Sequence, residues 1–140
     1  MQNINEIMLI DDDQATNYLT KYALDYFNYS NTLSIYDLAQ NALNDLEDRL
    51  VHQRDFPDII FLDLHLPMVS GWDFLDYYEK FDHSTLNISP QIYILSTTIN
   101  PKDLDKAESI KSVTKFYSKP LTQEIIKEIV TSPYTPKPYT

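Results

Sequence analysis

Short apolar runs recur along this chain, each followed by a longer segment with the period of a helix, and that alternation restricts the fold more than any other feature. "EIMLI", "TLSIY", "DIIFL", "QIYIL" and "VTKFY" read as strands. Between them, "QATNYLTKYALDYF" sets Ala15, Tyr18, Leu19, Tyr22 and Tyr26 at helical spacing. After Asp37, read as an N-cap, Ala39, Ala42, Leu43, Leu46 and Leu50 form a second stripe. "WDFLDYYEKF" groups Phe74, Leu75, Tyr78 and Phe81 on one face, a polar helix is expected from Pro101 to Lys111, and "TQEIIKEIV" closes the series. Strands that are apolar nearly throughout belong to a parallel sheet covered on both faces. Right-handed crossovers then give an α/β, doubly wound, five-stranded parallel sheet with flavodoxin-like strand order 2-1-3-4-5.

At 140 residues the chain is one domain long and can bury one proper core. It is expected to comprise a folded unit over 4–131 and a Pro-rich tail over 132–140, extended or disordered. "EDRLVHQRDFP" and "DHSTLNISP" are taken as surface loops. The lone glycine, Gly71, excludes a Gly-rich phosphate loop. With no cysteine there is neither a disulfide framework nor a cysteine metal site, and no run reaches the roughly 20 apolar residues of a membrane span. A soluble, cytoplasmic protein is expected. The net charge of -10 repels phosphate backbones and anionic lipid, which argues against direct nucleic-acid or membrane binding.

The chemistry lies where the strands end. The first runs into Asp11, Asp12 and Asp13, the third into Asp63, the fourth into Ser96 and Thr97, and the fifth leads to Lys119. Ligands of open parallel sheets bind outside the carboxyl ends of the strands, so these residues should meet on one rim. Clustered carboxylates repel one another unless a cation sits among them, and their hard oxygens suit Mg²⁺. Carboxylate, hard metal, hydroxyl and lysine together suggest phosphoryl transfer to an aspartate. Each residue taken singly has an ordinary explanation, and for Asp13 a helix-capping role is preferred.

The same residues resemble the receiver domain of two-component response regulators. "MLIDDD" is similar to its acidic pair, "IIFLDLHLPMVSGWDFL" to its phosphoacceptor segment, "IYILST" to its hydroxyl strand and "FYSKPL" to its Lys-Pro strand end. The resemblance covers roughly 4–131. It implies that Asp63 is the phosphoacceptor and that Asp11, Asp12, Asp63 and the His65 backbone carbonyl hold Mg²⁺, Asp12 directly and Asp11 through water. It further implies that Ser96 is the switch hydroxyl, Lys119 the electrostatic clamp and Phe116 the aromatic that turns inward, with a cis Lys119-Pro120 bond. Thr97 stands where the family often has a smaller residue, so Thr97 and His65 are candidates for tuning phosphate loss, although a solvent-facing loop histidine is the simpler account of His65. Three histidines and no cysteine argue against zinc.

The implied partners are a sensor histidine kinase or phosphotransfer protein and an unidentified downstream protein. The implied state is a monomer or a phosphorylation-dependent dimer. Because only 132–140 follow the last helix, a free-standing receiver is the expectation. Exposed Lys102, Asp105, Lys106 and Lys111 are candidates for a partner surface or simply a solvated face. Two other readings stay open: a haloacid-dehalogenase-like phosphatase with Asp11 as nucleophile and Asp13 as acid/base, and a receiver-fold binding module that is not phosphorylated.

Overall fold

In the computed structural model, residues 4–28, 32–86, 89–98 and 100–131 are described; the expected tail over 132–140 lies outside them. Strands β1 (Glu6–Ile10), β2 (Thr32–Tyr36), β3 (Ile59–Asp63), β4 (Gln91–Ser96) and β5 (Val113–Ser118) alternate with helices α1 (Gln14–Phe27), α2 (Ala39–Val51), α3 (Gly71–Lys80), α4 (Pro101–Ser109) and α5 (Gln123–Thr131). The strands are parallel and lie in the order β2-β1-β3-β4-β5, as expected.

Side chains of a strand alternate between the two faces of the sheet, and here the alternation separates two cores. Met8, Ile10, Ile60, Leu62, Ile92 and Ile94 point to the side of α2 and α3, against Leu43, Leu46, Phe74 and Tyr78. Their neighbours Ile7, Leu9, Ile59, Phe61, Tyr93 and Leu95 point to the side of α1 and α5, against Ala23, Leu24, Ile126 and Ile129. A fully buried side chain of this size contributes roughly 1.5–3 kcal/mol. Hence β1, β3 and β4 are the most apolar strands, whereas the edge strands β2 and β5 are partly exposed and mixed in sequence. Among the described residues no helix is long and apolar enough to cross a membrane.

The aromatic stripe of α1 lies on a helix, as its spacing predicts, and faces outward. Tyr18, Leu19, Tyr22 and Tyr26 are exposed, and the helix buries Asn17, Thr20, Ala23 and Leu24 instead. Asp37 is not the cap of α2; Leu38 holds that position and supplies no side-chain bond. The polar segment expected to be a loop from Glu47 continues as helix to Val51, because Arg49 is drawn inward by Glu6 of β1 and by Asp45. In addition, α4 ends at Ser109, short of the expected Lys111.

The registers align the strand ends. Ile10 pairs with Tyr36 and Leu62, Asp63 with Leu95, and Ser96 with Ser118. Residues following β1, β3, β4 and β5 therefore gather on one rim.

Candidate functional site: an acidic cluster at the strand ends

Asp11 leaves β1 wholly buried. Its Oδ1 accepts from the backbone N–H of Asp13 at 2.9 Å, and its carbonyl accepts from Asn17 Nδ2 at 2.8 Å. Asn17 lies on the inward face of α1, so this bond ties the helix's first turn to the end of β1. The sequence reading missed Asn17. Its signal was a polar residue in step with Thr20, Ala23 and Leu24, the face that packs on the sheet.

Asp13 caps α1: its carboxylate accepts from Ala15 N at 3.0 Å and from Thr16 Oγ1 at 2.9 Å. The hydrogen bonds from Thr16 hold its pKa below the usual carboxylate value. That carboxylate is committed to starting the helix.

Asp63 ends β3 and is 5% exposed. Its Oδ1 accepts from His65 N at 3.1 Å, which aims the carboxylate back over the rim. The chain then turns under α3, whose start at Gly71 passes so close that a Cβ there would lie 2.6 Å from the carbonyl oxygen of Asp63 and 2.7 Å from Leu64 Cα. The glycine is thus required by close backbone approach. Ser70 and Asp73 form a capping box that fixes the helix start at this point.

Lys119 brings the charges together. Its Nζ is 2.6 Å from Asp11 Oδ2 and 3.3 Å from Asp63 Oδ2. It directly follows β5, its bond to Pro120 is cis, as expected, and its N–H donates to the Ser96 carbonyl at 2.7 Å. Burial pulls the ammonium pKa down, but the hydrogen bond and charge of Asp11, with Asp63 behind them, outweigh burial and raise it. Lys119 is therefore charged at neutral pH. For Asp11 burial is the largest influence and outweighs Lys119, so its pKa is raised.

One oxygen from each of Asp11, Asp12 and Asp63 lies within 4.8 Å of the others. Asp12 is the exposed member. A set of three hard carboxylate oxygens, against which Lys119 sets a single charge, fits a small divalent cation reached from solvent beside Asp12.

Ser96 is fully buried at the end of β4, and its Oγ accepts from Thr98 N at 3.3 Å. Thr97 and His65 are exposed. Phe116 is half-buried and packs at the edge of the core on the side of α2, α3 and α4. Of the residues expected in the site, Asp11, Asp12, Asp63 and Lys119 thus form one contact cluster, with Ser96 adjoining Lys119 through the backbone; Phe116 lies at the core edge on β5.

The model of the response regulator receiver domain family matches residues 7–131 of this chain. Among solved structures, the chain is similar to a two-component response regulator from Cytophaga hutchinsonii, at 26% identity and a TM-score of 0.80 over 91% of this chain and 95% of that one. It is also similar to a response regulator receiver protein from Dyadobacter fermentans, at 21% identity and a TM-score of 0.75 over 89% and 94%. A CheY-like receiver domain from Methylobacillus flagellatus shares the fold at 19% identity and a TM-score of 0.71 over 91% and 97%. Among curated proteins none matches the chain.

Proposed function

The chain belongs to the response regulator receiver domain family, and from that membership we propose that Asp63 accepts a phosphoryl group from a histidine kinase or phosphotransfer protein. One observation carries the proposal. Asp63 is buried at the rim with one oxygen held by His65 N–H and the other facing the Lys119 ammonium, inside the Asp11, Asp12 and Asp63 cluster.

In this reading a carboxylate oxygen of Asp63 attacks the phosphorus of a phosphohistidine; the P–O bond forms as the P–N bond breaks, and the electron pair returns to the imidazole. Asp11, Asp12, Asp63 and the His65 carbonyl would hold Mg²⁺. Bound there, the ion supplies neutralisation of carboxylate and phosphoryl charge. Lys119 is already placed to pair with an oxygen of the new group. Ser96 offers its hydroxyl from the end of the neighbouring strand, and Phe116 turns into the space that Ser96 leaves. The face made by α4, β5 and α5 then changes, which is the signal a downstream protein reads.

The commitment of Asp13 to capping speaks against the phosphatase alternative, which needs that carboxylate as acid/base. Intact-protein mass spectrometry after incubation with Mg²⁺ and a small phosphodonor tests the proposal. A metal-dependent adduct, stable in acid and labile in base, should form on the wild type and vanish in Asp63→Asn. Donor turnover that survives Asp63→Asn but is lost in Asp11→Asn would replace this reading with the phosphatase one. Exposed Thr97, beside the buried Ser96, is proposed to slow attack of water on the phosphoryl group; Thr97→Ala should then lose phosphate faster, and equal rates would remove that role.

A further inference from the structure

The outer face of α1 is unlike a solvated helix surface. Tyr18, Leu19, Tyr22 and Tyr26 are 69%, 62%, 55% and 71% exposed, and their spacing places them in one stripe directly opposite the buried face. The rings of Tyr22 and Tyr26 stack at 6.2 Å, so the stripe is a continuous surface rather than scattered side chains. Together these residues expose roughly 500 Å² of mainly apolar surface, the size of the largest patch on a typical monomer, which is often a functional one. Lys21 and Asp25 line one flank and pair with each other at 2.9 Å, each more than half exposed. They are the charged side chains of α1, so this helix is neutral on a chain whose net charge is -10.

We propose that this face pairs with the same face of a second copy of the chain, α1 against α1 in antiparallel orientation about a two-fold axis near Tyr22. The charge pattern selects that occupant. In an antiparallel pair the same flank of each helix faces its counterpart, and a two-fold axis near Tyr22 brings Lys21 within a turn of the second copy's Asp25, and Asp25 within a turn of its Lys21. The flank is thus complementary to itself. Tyr18 meets the second copy's Tyr26, and the opposite flank carries no charge to repel. Two such faces bury on the order of 1,000 Å² in total, the lower bound for a specific interface, so the dimer is weak and concentration-dependent. The stripe lies on the face of α1 opposite the one packed on the sheet, and the pairing needs no phosphorylation.

Sedimentation velocity of the full chain over a micromolar-to-millimolar series, without phosphodonor, tests this. The wild type should pass from monomer to dimer, and Tyr22→Glu should remain monomeric with unchanged helical circular dichroism. Lys21→Glu and Asp25→Lys should each weaken association about tenfold or more, and the double variant should recover it. A wild type monomeric throughout, or a dimer indifferent to Tyr22→Glu, would overturn the proposal and leave the stripe to another protein. Failure of the charge exchange to restore association would overturn the antiparallel arrangement.

Discussion

The ammonium of Lys119 lies 2.6 Å from a carboxylate oxygen of Asp11, a residue with no exposed surface. It also lies 3.3 Å from Asp63, so one side chain holds two acids that would otherwise face each other across the rim. Removing one partner of a buried ion pair costs about 3–5 kcal/mol, because the remaining charge is left without compensation. Lys119→Met should lose stability of that order in urea unfolding with a chelator present. Saturating Mg²⁺ should recover more stability in Lys119→Met than it adds to the wild type, since the cation answers the same repulsion. Equal magnesium increments in the two proteins would show that the carboxylate cluster and the lysine are not compensating each other.

Gly71 presents a different constraint, one of space. The atoms a new Cβ would meet are backbone atoms of Asp63 and Leu64, which cannot swing aside as a side chain can. Gly71→Ala should therefore cost about 3 kcal/mol and shift the end of β3. Because the displaced residue is Asp63 itself, adduct formation with a small phosphodonor should fall even at temperatures where the variant is folded. Unfolding curves and adduct yield together separate this effect from simple loss of fold.

Which parts of this arrangement can be read from the chain follows from burial. Strands β3 and β4 lie between two helix layers, so "IIFL" and "IYIL" are apolar throughout and the polar residue ending each run stands out. Asp63 and Ser96 were legible for that reason. Helix α1 was harder, because it carries two stripes of helical period, one of small residues around Ala23 and one of tyrosines. Apolar size favours the second as the core face, yet the first packs: capping by Asp13 and the bond from Asn17 to the Asp11 carbonyl fix the helix's rotation. Such bonds run between residues whose proximity depends on the finished turn. Arg49 was missed similarly, since an arginine in a polar run reads as solvated until Glu6 of β1 is placed beneath it.

That arginine joins β1 to α2. Its guanidinium contacts Glu6 at 2.7 Å and Asp45 at 3.0 Å, and Tyr36 donates to Asp45 as well. Burial pushes the Asp45 pKa up, but the hydrogen bonds from Arg49 and Tyr36 prevail and hold it below its ordinary 3.8. A depressed folded pKa gives stability that is present above the unfolded value and disappears as pH falls through the folded one. Arg49→Met should cost about 3–5 kcal/mol at neutral pH, and the difference from wild type should shrink well below pH 3.8. Urea midpoints measured at both pH values provide the comparison, and a difference independent of pH would deny the ion pair its part.

Two tyrosines should contribute to the alkaline limb of stability, beside the Lys119 ammonium, whose pKa is also raised. Burial, followed by the charges of Tyr117 and Glu128, pushes Tyr93 to about 12; burial, followed by the hydrogen bond to Asp45, pushes Tyr36 to about 12. The ordinary value is 10.0, so between these limits the unfolded chain ionises while the folded one holds its protons. Stability is thus fully present below pH 10 and falls as pH rises towards 12. For Tyr93, which is 6% exposed, a two-unit displacement corresponds to at most about 2.7 kcal/mol. Ultraviolet titration of the folded protein should show a late component from these two tyrosines, near pH 12. Tyr93→Phe should remove one late-titrating group and flatten the alkaline loss of stability. If the limb is unchanged, ionisation of Tyr93 is not what unfolds the chain.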